Sequence, residues 1–144
     1  MVTTLPPREV RASFALWLGV IAVSVLGNLL LLTVFDRVLD ASGTPPENRA
    51  AAYGTVVAVV LATVAGGLVL ATRMRAGVSW ARWVLVVIGV VYLVADVAGL
   101  LGENVAGVPG PLAAVLTALT VAEMVLLAAA VALLFAPGAQ PWFR

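Results

Sequence analysis

Glu123, Asp96 and Asn28 each stand inside a long apolar run, and theirs are the polar side chains whose placement most needs a reason. A carboxyl can carry a proton or hold a cation, and an amide can bridge two hydrogen-bonding groups. If these runs cross a bilayer, a carboxylate near its centre costs roughly 2.5–3.5 kcal/mol on insertion scales. No Arg lies within the same runs to neutralise either acid, and removal from water disfavours the charged form, so Glu123 is expected to be neutral. Two uses follow. The acids either form a proton or cation site, or serve as neutral hydrogen-bonding groups that tie helices together. The structural use is the preferred expectation.

Other chemistry is narrowed by what the chain omits. It has no Cys and no His, which removes thiolates, disulfides, the commonest metal ligand and the commonest general base. Glu123 and Asp96 fall on different segments at different depths, and no nucleotide motif accompanies them. The expectation is therefore no enzyme, no catalytic residue, no cofactor and no metal site. A net charge of +1 also lacks the basic face that nucleic-acid binding needs.

The residues around these three set their surroundings. The 144-residue chain is 63% hydrophobic and 10% charged, with mean hydropathy +1.15. Too few polar side chains are present to cover a water-facing surface, and the solvent that suits such a chain is lipid. Four apolar runs stand out at about 12–35, 50–72, 80–101 and 111–135. Each has roughly 22 to 25 residues, enough at ~1.5 Å per residue to cross a ~30 Å hydrocarbon layer. None alternates as a barrel strand would.

The separators are Asp36–Arg49, read as a turn-rich loop that cannot stay helical through Pro45 and Pro46, then the short Arg73–Ser79, then Gly102–Gly110. Pro111 suits the first turn of the last helix. Short connections make successive helices antiparallel. The expected fold is all-α: one transmembrane domain over residues 1–144, a polytopic four-helix antiparallel bundle with no separate soluble domain. The first run exceeds the apolar core of a signal peptide and lacks a clear cleavage site, so it is expected to be retained.

Arginine sets the orientation. Arg8, Arg11, Arg73, Arg75, Arg82 and Arg144 fall on one side, against Arg37 and Arg49 on the other, where Asp36, Asp40 and Glu47 dilute them. The excess of basic residues predicts cytoplasmic N- and C-termini in a multi-pass plasma-membrane protein. Trp17, Trp80, Trp83 and Trp142 fall near the same inner interface, where amphipathic rings settle.

Counting along the helices places Ser24, Thr63 and Glu123 at one depth, with Asn28, Asp96 and Tyr92 in a second layer further out. Tyr92, Asp96, Gly99 and Glu103 share a helix face by spacing. In the second run, Ala50, Gly54, Ala58, Ala62 and Gly66 recur every fourth residue, and small side chains let membrane helices approach closely. This line is expected to be a packing face, within the bundle or between subunits. Ala114, Ala118 and Ala122 repeat the theme beside Glu123.

Several short pieces resemble a group of small actinobacterial four-helix membrane proteins of unassigned function. They are Pro6-Pro7 with Val10-Arg11 and Phe14-Ala15-Leu16-Trp17-Leu18; Trp80-Ala81-Arg82-Trp83-Val84-Leu85; and Leu133-Leu134-Phe135 with Pro137 and Trp142-Phe143-Arg144. Such relatives often carry a basic residue just before the C-terminal proline, where this chain has Ala136. The resemblance implies the four-helix fold and an inner-membrane address, and no site residues. An all-Arg set of basic residues with abundant Ala, Val and Gly agrees with a GC-rich bacterial genome.

The expected function is that of a non-catalytic membrane protein, an accessory or assembly partner or a homo-oligomeric subunit. Its partners are the lipid bilayer and another membrane protein or a copy of itself. The alternative is a small proton-coupled transporter acting as a dimer. Small multidrug-resistance transporters are similar in helix count and length, and that resemblance implies an essential Glu in the first helix, where this chain has none within its apolar run.

Overall fold

In a computed structural model, residues 5–101, 108 and 110–143 are described. The order is α1 (Arg8–Leu32), α2 (Phe35–Ala41), α3 (Pro46–Arg75), α4 (Ser79–Leu101) and α5 (Gly110–Leu134), with a 3-10 turn at Gln140–Phe143. Four of these helices are long and apolar enough to cross a membrane, and no strand occurs among the described residues. The chain is an all-α, four-helix membrane bundle with a fifth, short helix.

The spans start and stop where proline and glycine chemistry allows. Pro7 and Pro45 precede α1 and α3 as extended residues, and Pro46 occupies the first turn of α3. The α3–α4 connection is a tight reversal around Gly77 (φ +82). There Gly77 N–H donates to Met74 O at 2.9 Å and Val78 N–H to Arg73 O at 3.1 Å, a pattern that satisfies the last carbonyls of α3.

Two sequence expectations are corrected here. The first run ends as a helix at Leu32, not Phe35. The Asp36–Arg49 loop begins as helix α2, because Phe35 and Leu39 at i and i+4 share one apolar face and both are buried. Its position is fixed on α3 by Phe35 packing edge-on to Tyr53, with ring centroids 4.8 Å apart. Arg49 adds a pair with Asp40 and a second contact to Asp36 at 3.7 Å.

In cross-section the long helices form a square. α1 packs against α5 and α3, and α4 closes the square against the same two, with α1–α5 the most extensive contact. The core sits at one end only. Val10, Trp17, Met74, Ala81, Leu85, Leu127, Leu134 and Phe143 belong to one buried cluster, all toward the Arg-rich end. At that end the C-terminal turn covers the α3–α4 reversal, with the Trp142 indole N–H donating to Arg75 O at 3.3 Å. Elsewhere the long helices show large apolar side chains outward, such as Leu61 (64%), Val94 (62%) and Val125 (64%). That much exposed hydrocarbon on every span suits a surface in contact with lipid.

Candidate functional site

Beyond the packed end, the bundle opens into two neighbouring cavities. The first, about 310 Å³, lies among all four spans and is walled mainly by apolar side chains, including Trp17, Ile21, Leu85, Ile88 and Leu127. The second, about 340 Å³, lies among α1, α4 and α5, and its polar walls come from Ser24, Asn28, Asp96 and Thr120. Glu123 and Tyr92 line both cavities. The carboxyl of Glu123 thus stands at the junction of an apolar chamber and a polar one.

The helices position these groups by simple repeats. Ser24 and Asn28 are one turn apart on α1, Tyr92 and Asp96 on α4, and Thr120 and Glu123 on α5, so each pair points into the same space. The structure therefore brings together the three polar residues singled out by sequence, in one cavity. The two carboxyls face it with no Arg among its described lining residues. Ser24 faces Glu123 from α1. Asp96 Oδ2 is buried without a hydrogen-bond partner among the described residues.

The layering expected from sequence is corrected in two places. The Tyr92 hydroxyl bonds Thr63 Oγ1 at 2.9 Å, which puts it at the junction level and not in the outer layer. Asn28 turns its amide back on its own helix, donating to Ser24 O at 2.8 Å, so it makes no tie to another helix through that group. Gly99 is exposed and nothing meets it, so the shared face on α4 stops at Asp96 as far as the described residues go. Glu103 and Arg144 lie outside the described residues.

Hydrogen bonds between spans come from other side chains. Ser13 Oγ, fully buried, donates to Ala130 O at 2.9 Å and ties α1 to α5, while Thr63 and Tyr92 tie α3 to α4. Sequence reasoning passed over Ser13 because one hydroxyl near a helix start looks like an interfacial group.

The small-residue line on α3 is not a packing face within the bundle. Ala50, Gly54, Ala58, Ala62 and Gly66 are all exposed, and a Cβ at Gly54 or Gly66 would meet nothing within 4 Å. A spacing of four in a helix of ~3.6 residues per turn drifts about 40° per step, so the line winds around α3. Its last members, Ala62 and Gly66, reach the first cavity and leave it wide. Ala114, Ala118 and Ala122 are exposed as well.

Close approach occurs instead at Gly67, where a Cβ would lie 2.8 Å from Ile21, and at Gly89, where it would lie 3.1 Å from Val131 and 3.5 Å from the Trp17 ring. Trp17 is accordingly a core residue at 4% exposure and not an interfacial anchor, whereas Trp80 and Trp83 are exposed as that role requires. The sequence offered no warning at Gly89, which stands alone among valines.

Fold and cavities together define a polytopic all-α membrane protein with a polar chamber inside an otherwise apolar bundle. Compared with protein-family models, curated proteins and solved structures, the chain finds no match.

Proposed function

We propose that this is a non-catalytic integral membrane protein that works by assembly, as a homo-oligomeric subunit or as the accessory partner of another membrane protein. The observation that carries the reading is the outward line of small residues on α3. Ala50, Gly54 and Ala58 leave a shallow, featureless strip on a helix whose other side already packs in the bundle. Between membrane helices, such strips gain van der Waals contact that branched side chains prevent. The reading includes a plasma-membrane location with cytoplasmic termini, supported by six Arg on one side against two on the other, and kinship with small actinobacterial four-helix proteins.

The test separates assembly from folding. Gly54→Leu and Ala58→Leu add bulk where the protomer has space, so thermal stability of the monomer should hold while association in bilayers falls by about tenfold or more. Val94→Leu on the exposed side of α4 is the control. Association by single-molecule photobleaching that is the same in all three variants and the parent would refute assembly through α3.

One observation favours a second reading, a small proton-coupled transporter: Glu123 and Asp96 share a cavity. In that case Glu123→Gln abolishes pH-driven uptake in proteoliposomes while the fold survives, since coupling needs both protonation states.

A further inference from the structure

We infer that the groove between α4 and α5 holds an anionic phospholipid from the leaflet at the Arg-rich end, its phosphate on Arg82 and one acyl chain over Gly89. The groove is lined by α4 and α5 alone, so this binding is independent of assembly through the small-residue line of α3. Arg82, Gly89 and Leu93 fall on one face of α4 by their i, i+7, i+11 spacing, and Ala128, Val131 and Phe135 fall on one face of α5. A cleft of about 90 Å³ opens where the two faces meet, lined by Gly89, Val90, Leu93, Leu127, Ala128 and Val131. Val90 and Ala128 are exposed, so the cleft faces lipid and not the bundle interior.

The head of the groove is a cation held among aromatic rings. The Arg82 guanidinium carbon lies 4.9 Å from the ring centroid of Phe143, 5.3 Å from that of Trp83 and 5.8 Å from that of Phe135. Trp83 and Phe135 pack edge-on with centroids 5.9 Å apart. Such rings restrain the guanidinium, which then has less freedom to lose on binding. Among the described residues Arg82 has no acidic partner, and the ion pairs present belong to Arg49 at the far end of α3. Glu9, the acid at the Arg-rich end, packs its carboxyl against Gly138, in the space a Cβ would need. Trp80 and Trp83, both exposed, mark this level as the membrane interface, where lipid phosphates lie.

Charge and reach together name the occupant. Gly89 and Leu93 stand seven and eleven residues beyond Arg82, roughly 10 and 16 Å along α4 at ~1.5 Å per residue. Half of a ~30 Å hydrocarbon layer is about 15 Å, so a chain anchored by its head at Arg82 covers this stretch within its own leaflet. A free phosphate would use Arg82 and leave the cleft empty. A neutral lipid would fill the cleft and leave the cation unpaired, and phosphatidylcholine carries its own ammonium beside the phosphate. An anionic phospholipid uses both parts, and the planar fork of Arg matches two phosphate oxygens. Basic pockets between spans hold such headgroups in this way.

Native mass spectrometry of the intact chain provides the test, with release from nanodiscs of dioleoylphosphatidylcholine and dioleoylphosphatidylglycerol in equal parts. The acyl chains are the same, so only the headgroup differs. Each protomer should retain about one phosphatidylglycerol, with about tenfold preference over phosphatidylcholine. Arg82→Gln should abolish that preference. Ala128→Phe fills the cleft from α5 and leaves the cation, and it should cut retention by about tenfold. Arg73→Gln removes an exposed charge at the same end but outside the groove, and should stay within about twofold of the parent. No preference in the parent, equal losses in Arg82→Gln and Arg73→Gln, or unchanged retention in folded Ala128→Phe would overturn the site. If Arg82→Gln does not fold, the parent's preference and Ala128→Phe decide the matter.

Discussion

Ser13 and Ser24 lie on the same helix with opposite surroundings. Ser13 is fully buried and donates to Ala130 O at 2.9 Å; Ser24, three turns further along, opens into a cavity shared with Asn28, Asp96 and Glu123. The contrast extends to the whole bundle. Toward the Arg-rich end, α1, α3, α4 and α5 meet through small residues and large apolar ones, and the C-terminal turn covers the end. Toward the other end α1, α4 and α5 border a cavity with polar walls. In lipid, helices gain little from hiding apolar surface, so tight packing must come from shape. The packed end has complementary shapes at Gly89, Trp17 and Val131, whereas at the open end Asp96 Oδ2 is left without a partner among the described residues.

The sharpest way to break this contrast is to put the same bulk at two places on α4, one in the packed part and one near its far end. Gly89→Leu forces apart Val131 and Trp17, and overpacking of this kind should lower stability by about 3 kcal/mol in a detergent unfolding assay. Gly99→Leu, where no neighbour lies within 4 Å, should stay within about 0.5 kcal/mol of the parent. Equal losses at the two sites would remove the distinction.

A smaller effect is expected at the reversal beneath the packed end. Gly77 has φ +82, and a Cβ there would lie 3.0 Å from Trp142 O. Gly77→Ala should therefore cost about 1–2 kcal/mol from the left-handed backbone alone. Loss of the Trp142 contact should show as a shift in tryptophan emission. A destabilised variant with unchanged tryptophan emission would mean that the C-terminal turn does not cover this end.

Much of this could be read from the chain, for a physical reason. Spans in lipid are declared by composition and punctuated by Pro7, Pro46, Gly77 and Pro111, all local features, so their number and rough limits were legible. Helix α2 was hidden because Ser42, Gly43 and Pro45 dominate its neighbourhood, although Phe35 and Leu39 carried its apolar face. Glu123, Asp96 and Asn28 announced themselves as polar groups in apolar runs, but spacing placed Asp96 and Asn28 in a layer further out than Glu123, and the one cavity that all three line was not legible. Short connections made successive spans neighbours, as α1–α3, α3–α4 and α4–α5 are, but the extensive contact between α1 and α5 was not legible. The regular line on α3 looked like a seam and is exposed, while the close approaches that exist are at Gly67, against Ile21, and at Gly89, against Val131 and Trp17.

The two polar residues of α1 separate the ends more finely. Ser13→Ala removes a buried bond between helices and should cost about 1 kcal/mol. Asn28→Ala removes a bond within one helix and should cost less than about 0.5 kcal/mol in the same assay. The reverse order would show that the open end, and not the packed one, holds α1 in place.

The most direct test of the contrast uses the absence of native cysteine, which makes any introduced thiol unique. Ser13→Cys and Ser24→Cys are near-isosteric changes on one helix, each probed in bilayers with a small methanethiosulfonate reagent that carries an ammonium group. Such reagents attack thiolates and so report access to water. If the core is confined to the Arg-rich end and the far half encloses a polar cavity, Ser24→Cys should react at least about tenfold faster than Ser13→Cys. Equal rates, or a faster reaction at Ser13→Cys, would contradict the account.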